Sequence, residues 1–320
     1  MERRRFLQQA ALTAAAVASA KRARAAAKTP EHAIAKRTLG KTGEQLSIIC
    51  FGGIVVMNET ASDSKNIVAE AVDRGINYFD VAPSYGNAQL RLGPALKPYR
   101  KNSFLACKTD GRSKEESRKQ LEESLRELET DHFDLYQFHA LTKMKELDEV
   151  LAPGGAMETM EAAKKEGKIR YIGFSVHSAE TAVAALERYP FDTILFPLNW
   201  VLVTQAGFGP QILKKAQEKN VGILCLKSMA MTVWPANERK NHPEPKCWYK
   251  PAAFPEQAAM GLRWTLGHPI TSAIPPGDER YFRLAMDVAQ HYKPLEPHEE
   301  KTLLASANGL EPIFHLGNDV

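Results

Sequence analysis

Four side chains that could together donate a proton stand at or close to the ends of apolar runs: Asp80, Tyr85, Lys108 and His139. A phenol is a weak acid with a reference pKa of about 10, and a nearby ammonium lowers that value. Lys108 could supply the ammonium, and a carboxylate at Asp80 would keep that buried lysine charged. His139 could hydrogen-bond the oxygen that Tyr85 protonates. The pattern therefore indicates general-acid chemistry on an oxygen atom.

Eight apolar runs, most of them rich in Ile, Val, Phe and Tyr, predict buried parallel strands that would position these side chains. The runs cover residues 46–51, 76–81, 103–108, 133–139, 169–176, 191–199, 221–226 and 270–274. Charged stretches with helical spacing lie between them, for example at 113–128, 147–166 and 178–189. Strand and helix alternating eight times predict a single-domain (β/α)8 TIM barrel.

The competing architecture is a doubly wound sheet, but no Gly-x-Gly-x-x-Gly motif follows an early strand. Asp80, Lys108 and His139 fall at the C-terminal ends of their runs, the face on which barrel enzymes place their active sites. We therefore expect these three side chains to converge. The longest interruption, residues 229–253, follows the seventh run, and we expect it to fold over the site as a lid.

The four residues and the segments around them resemble the aldo-keto reductases. The similarity covers most of the chain, through residues 37–43, 51–53, 78–86, 172–175, 262–264 and 274–277. The resemblance implies that a hydride moves between NADPH, or NADH, and the carbonyl carbon of a small-molecule aldehyde or ketone, or in reverse from the alcohol. Tyr85 would be the general acid, tuned and oriented by Asp80, Lys108 and His139.

The resemblance also implies cofactor-binding residues at matching positions. They are Gly53, Asp80, Ser175, Leu226, Lys227, Ser228, Gly277, Arg280, Arg283 and Asp287. Ser175 matches a serine that binds the nicotinamide carboxamide, and Arg283 aligns with a contact to the adenosine 2′-phosphate, which favours NADPH. The sequence departs from the family where Val176 replaces a frequent Asn, Leu195 replaces a glutamine, and Leu226 replaces the aromatic that stacks on nicotinamide. These replacements weaken the nicotinamide clamp.

Other function classes remain open at this stage. A nucleotide-binding regulatory or sensor protein, resembling the barrel subunits of some membrane channels, would keep the four residues with little turnover, and the weakened clamp favours it. A metal-dependent hydrolase would need a ligand pair such as His-x-His, which the sequence lacks. Residues 1–27 hold six Lys/Arg and one Glu and so account for the whole net charge of +4, which argues against a nucleic-acid-binding surface.

The N-terminus resembles a bacterial twin-arginine export signal. Three arginines at 3–5 precede an Ala-rich run at 10–20, and small residues at 25–27 suit a signal peptidase. The run is too short and too weakly apolar to span a membrane. We expect a signal at 1–27, a barrel at 28–320 and a periplasmic or otherwise exported protein that is loaded with cofactor before export. A basic tail or an organelle transit peptide is the alternative.

The positions of the four cysteines argue against two disulfides. Cys50, Cys107 and Cys225 fall inside apolar runs, where small thiols are ordinary core residues. On the first and third strands, Cys50 and Cys107 would be separated by two spacings of about 4.8 Å, beyond the roughly 7 Å limit for a bridge. Cys247 lies in a polar segment and is a candidate free thiol.

Overall fold

The computed structural model describes residues 33–317, so the predicted export signal lies outside the described part. The strands are β1 (Lys36–Thr38), β2 (Gln45–Ser47), β3 (Phe51–Gly52), β4 (Tyr78–Asp80), β5 (Phe104–Thr109), β6 (Phe133–Leu141), β7 (Ile169–Val176), β8 (Thr193–Pro197), β9 (Gly222–Leu226), β10 (Ala230–Val233), β11 (Tyr249–Pro251) and β12 (Ser272–Ile274). The α-helices are Ala61–Asp73, Ala88–Leu96, Lys114–Glu127, Met144–Leu151, Ala156–Lys165, Ala179–Arg188, Trp200–Ala206, Pro210–Glu218, Pro255–Leu266, Glu279–Gln290 and Pro297–Ala305. Short 3-10 helices lie at Gly40–Thr42, Gly53–Val56 and Lys97–Asn102.

Eight of the strands form one parallel sheet that curls into a nearly closed (β/α)8 barrel, as the sequence predicts. The strand order is β12-β9-β8-β7-β6-β5-β4-β3. The two ends meet next to β3, where the Cys50 N–H donates to the Ala273 carbonyl at 3.0 Å and the Ala273 N–H donates to the Ile48 carbonyl at 2.9 Å. The doubly wound alternative is excluded by this topology.

Strand side chains alternate between the barrel interior and the layer under the helices, which decides where the functional groups point. In β5, Ala106 belongs to the cluster that fills the barrel, whereas Cys107 belongs to the outer core. Because the period is two, Lys108 returns to the interior. In β4, Tyr78 is likewise an interior residue, and Asp80 follows it on the same face. Both charged residues therefore enter the barrel at its C-terminal end.

The helical stretch predicted at 147–166 is two helices, Met144–Leu151 and Ala156–Lys165. Pro153 has no N–H for a continuing helix. Gly154 adopts a φ of +81°, in the left-handed region that glycine occupies without a steric penalty. In the part of the chain that the structure covers, no helix is long and apolar enough to cross a membrane.

All four cysteines are buried free thiols. Cys50 packs inside the barrel and Cys107 packs outside it, so the two thiols lie on opposite faces of the sheet. Cys247 differs from its expected polar setting. It is 1% exposed, and its carbonyl accepts a hydrogen bond from Trp234 Nε1 at 2.9 Å, because the surrounding segment folds back on the barrel.

Candidate active site

Asp80 and Lys108 form a buried ion pair at the C-terminal end of the barrel interior. Lys108 Nζ donates to Asp80 Oδ1, and the two side chains are only 1% and 3% exposed. Gln137 Nε2 donates to the other carboxylate oxygen at 2.9 Å. Burial would lower the pKa of Lys108, but the charge of Asp80 outweighs burial and raises the pKa above its ordinary value. Lys108 is therefore a fixed cation at neutral pH.

Tyr85, in the loop after β4, brings its hydroxyl to this cation. Its Oη lies 3.4 Å from Lys108 Nζ, which is 5.1 Å from the centroid of the phenol ring. Burial raises the pKa of Tyr85, while the Lys108 ammonium lowers it, and the net shift is upward. The ammonium thus acts in the direction expected from the sequence, but burial outweighs it. The phenol is protonated at neutral pH and able to donate.

His139 lies beside Tyr85, with the ring centroids 5.7 Å apart and the planes at 81°. Its Nδ1 is 2.6 Å from Asp110 Oδ1 and 3.3 Å from Ser84 Oγ. Because a carboxylate only accepts, Nδ1 carries the proton, and this hydrogen bond fixes the orientation of the ring. Burial would raise the pKa of Asp110, but the hydrogen bond from His139 holds it below its ordinary value.

A cavity of about 90 Å³ extends from the ion pair to the loop after β12. Leu195, Leu226 and Ile274 give it apolar walls. Gly277 lines its far end, where a Cβ would lie 2.3 Å from the Ile54 side chain, so only glycine lets this loop come so close. The full lining is Gly52, Ile54, Asp80, Tyr85, Leu195, Leu226, Lys227, Lys246, Trp248, Tyr249, Ile274, Pro275, Pro276 and Gly277.

The segment 229–253, hereafter the lid, covers this cavity. It begins and ends in the antiparallel pair β10–β11, and it places Trp248 and Tyr249 in the cavity wall. Lys246 Nζ reaches across to the opposite loop, donating to the Val55 carbonyl at 2.7 Å and to Glu59 Oε1 at 2.8 Å. The lid is thereby tied to the segment that follows β3.

The three predicted cofactor residues on the helix Glu279–Gln290 lie in a separate depression and are all ion-paired. The pairs are Arg280 with Asp278 at 2.9 Å, Arg283 with Glu279 at 2.7 Å, and Asp287 with Arg74. A phosphate arriving at this helix would therefore compete with carboxylates for the arginines.

The sequence model of the aldo/keto reductase family matches residues 49–259. This chain belongs to the aldo/keto reductase family. Curated relatives include L-galactose dehydrogenase of Arabidopsis thaliana, 28% identical over 61% of this chain and 65% of that protein. Aldo-keto reductase YhdN of Bacillus subtilis (strain 168) is 32% identical over 47% of each chain. The 6-dehydroglucose reductase of Novosphingobium aromaticivorans is 29% identical over 48% of this chain and 55% of that one.

These alignments span from about half to two thirds of the length of each relative. Among solved structures, the holo form of aldo-keto reductase AKR11C1 from Bacillus halodurans matches with a TM-score of 0.68. The match covers 88% of this chain and 99% of that one at 22% identity, so it concerns the fold. The family model and the curated relatives therefore agree on the aldo/keto reductase family.

In this family member, four of the ten predicted cofactor residues line the cavity: Asp80, Leu226, Lys227 and Gly277. The other three outside the helix Glu279–Gln290 lie around it. Ser175 Oγ accepts a hydrogen bond from the Ala140 N–H at 2.8 Å. Gly53 packs against Val81, whose side chain a Cβ would approach to 2.6 Å. Ser228 Oγ is buried without a hydrogen-bond partner in residues 33–317.

Sequence reasoning missed three polar side chains that hold the predicted residues in place. Gln137 donates to Asp80, Asp110 accepts from His139, and Asn199 Nδ2 donates to the Lys227 carbonyl at 3.1 Å. Strand periodicity could have found Gln137, because it lies two residues before His139 and so on the same inward face. No comparable signal marks Asn199, whose partner is 28 residues away.

Proposed function

We propose that this reductase uses NADPH to reduce an aldehyde or ketone, with Tyr85 as the general acid. The observation that carries the proposal is the position of the Tyr85 hydroxyl, 3.4 Å from a buried lysine ammonium. The ammonium is itself fixed by Asp80. Oxidation of an alcohol would use the same groups in reverse, with the Tyr85 phenolate as the base.

The residues around the cavity fit a nicotinamide group, which when bound supplies the hydride. Leu195 and Leu226 offer a flat apolar surface that holds a ring by dispersion instead of by aromatic stacking. Gly277 lets the backbone approach a ligand closely. Arg280 and Arg283 favour the additional phosphate of NADPH over NADH if they exchange their acidic partners for it.

The chain's own groups account for the proton transfer. As Tyr85 gives its proton to a carbonyl oxygen, negative charge develops on Oη, and the adjacent Lys108 ammonium stabilises that charge in a site shielded from water. Asp80 keeps Lys108 charged and in place. His139, perpendicular to the phenol and fixed by Asp110, orients the carbonyl oxygen next to Oη.

The test is Tyr85→Phe, which removes the hydroxyl and keeps the ring. We expect turnover to fall by roughly 10²- to 10⁴-fold, the usual contribution of a general acid, while NADPH affinity stays unchanged. Turnover is followed by NADPH oxidation on a panel of aldehydes and hexoses, because two relatives are named for a sugar or a sugar derivative. Tyr189→Phe, whose hydroxyl instead faces Glu161, is the matched control. Wild-type turnover in Tyr85→Phe would refute the assignment.

A further inference from the structure

Lys227 is held in a strained position at the mouth of the barrel. It follows β9 with a φ of +65°, a left-handed conformation that a residue other than glycine rarely adopts. Its carbonyl accepts hydrogen bonds from Asn199 Nδ2 at 3.1 Å and from the Ala230 N–H at 3.0 Å, which together fix the turn. Strain that the surrounding structure maintains in this way is characteristic of ligand sites.

In the described part of the chain, the ammonium of Lys227 faces aromatic rings and pairs with no carboxylate. Its Nζ lies 5.1 Å from the ring centroid of Trp248, 5.6 Å from that of Tyr249 and 6.0 Å from that of Phe314. Within residues 33–317 it has no hydrogen bond and no ion pair. Ring faces attract a cation only weakly compared with a carboxylate, so this partly buried charge lacks a counter-ion in the fold.

A second unpartnered polar atom lies near Lys227. His177 follows β7, and its Nε2 is buried without a hydrogen-bond partner in the described part of the chain. Its ring stacks on Phe314 at 4.6 Å and 9°. Burial and the charge of Lys227 keep the pKa of His177 well below its ordinary value, so the ring is neutral. Trp248, 56% exposed, packs on Phe314 at 5.8 Å and forms the outer wall.

We propose that Lys227, with His177 beside it, binds an anionic group, a carboxylate or a phosphate, on the carbonyl substrate. This inference rests on the proposed function. The family resemblance implies a cofactor role for Lys227, but the position of its ammonium favours contact with the substrate instead. Gly277 and the lid residue Lys246 lie toward Ile54 and Val55, whereas the Lys227 ammonium lies near Phe314 and His177.

The protonation of Lys227 gives the proposal a pH signature. Burial lowers the pKa of Lys227 from its ordinary value to about 7. The titratable groups around it are Lys108, His177, Cys247 and Tyr249, and Asp80, Tyr85 and Lys246 line the same cavity. An anion favours the ammonium, so anion affinity should fall as pH rises through about 7. Arginine at this position would remove that dependence, because it stays charged.

The experiment compares Lys227→Met with Lys227→Arg in the full-length protein with saturating NADPH. Calorimetry measures the binding of benzoate, an anion that cannot be reduced, and of neutral benzamide. We expect Lys227→Met to weaken benzoate binding by roughly 10- to 100-fold, the usual effect of losing a charged hydrogen bond, and to leave benzamide unchanged. Lys227→Arg should retain benzoate binding and lose its decline above pH 7.

Turnover supplies the second measurement. The kcat/KM of para-formylbenzoate relative to its methyl ester should fall by the same factor in Lys227→Met and be retained in Lys227→Arg. Equal benzoate affinity in the wild type and Lys227→Met overturns the proposal, and so does an effect confined to NADPH affinity. A failure of the proposed function would give a different result from a failure of this inference. The wild type would then reduce neither charged nor neutral aldehydes, and benzoate binding would still test the role of Lys227.

Discussion

Replacing Asp80 with Asn should destabilise the protein strongly, because the Lys108 ammonium would remain buried without a counter-ion. The two side chains are 1% and 3% exposed, so they belong to the class of buried pairs. Removing one partner of such a pair costs about 3–5 kcal/mol. Asparagine has nearly the same shape and still accepts a hydrogen bond from Gln137 Nε2. Its NH2 group then faces the Lys108 ammonium, so the loss would report the missing charge and hydrogen-bond acceptor and not a cavity.

The pH dependence of this effect has a definite sign. In the wild type the folded pKa of Lys108 is raised, so its stabilising contribution is complete below the unfolded value and is lost only as pH rises through the folded value. In Asp80→Asn, burial lowers the pKa of Lys108 without opposition. The unfolded variant then binds more protons than the folded one, and its stability should increase with pH between those two pKa values.

The assay is urea unfolding followed by tryptophan fluorescence, at several pH values, for both single variants and the double variant Asp80→Asn/Lys108→Met. The double variant should lose less than the sum of the single losses, because neither charge is left alone. Lys97→Met is the control. Lys97 pairs with Glu129 at 2.7 Å on the surface, with 67% and 40% exposure, and should contribute at most about 1 kcal/mol. A loss in Asp80→Asn no larger than this, or one independent of pH, would refute the reasoning.

Two further predictions concern the lid and the N-terminus. Lys246→Met removes the ties to Val55 and Glu59, so NADPH should dissociate roughly 10-fold faster or more in stopped-flow fluorescence. The control is Lys250→Met, which breaks a pair with Glu238 within the lid and should leave the dissociation rate unchanged. Equal dissociation rates in both variants would contradict a role of Lys246 in holding the lid closed. If residues 1–27 are a twin-arginine signal, replacing Arg3 and Arg4 by Lys should retain the protein in the cytoplasm on cell fractionation. Unchanged export would exclude this route, and exported protein without bound nucleotide would contradict loading before export.

The barrel could be predicted from sequence because the barrel strands lie in mainly apolar runs that alternate with charged helical stretches. The run at 103–108 illustrates this, since it lies within one residue of the observed strand β5. The prediction was less accurate at 147–166, where helical spacing continues across Pro153 and Gly154. Pro153 and the left-handed Gly154 end the first helix, and Gly155 lets the chain pass close to the Glu149 carbonyl, from which a Cβ would lie only 2.3 Å away. Helical periodicity alone does not weigh such a Pro-Gly-Gly stop signal.

The convergence of Asp80, Tyr85 and Lys108 was also predictable, because parallel strands bring their C-terminal ends to one face. The net direction of the pKa shift of Tyr85 was not predictable. Sequence identifies a nearby ammonium that lowers the pKa of the phenol, but it does not show how far the phenol is buried, and burial determines the net direction. The ion pairs of Arg280 and Arg283 were missed in part for a related reason. Arg283 also pairs with Glu70, which lies more than 200 residues away in the chain.

Lys108 and Lys227 lie at the same end of the barrel and differ in what the neighbouring strands supply. Beside β5, the strand β4 ends in Asp80, which neutralises Lys108. Beside β9, the residues level with Leu226 are Pro197 and Ile274, and neither can pair with a cation. An anion stabilises an ammonium that is removed from water, and none pairs with Lys227 in residues 33–317, which favours an anion on the substrate as its partner. In the function proposed above, Lys108 serves the proton transfer for every substrate, whereas Lys227 selects among substrates. Asp80→Asn should then lose turnover on charged and neutral carbonyls alike, and Lys227→Met on the charged ones alone.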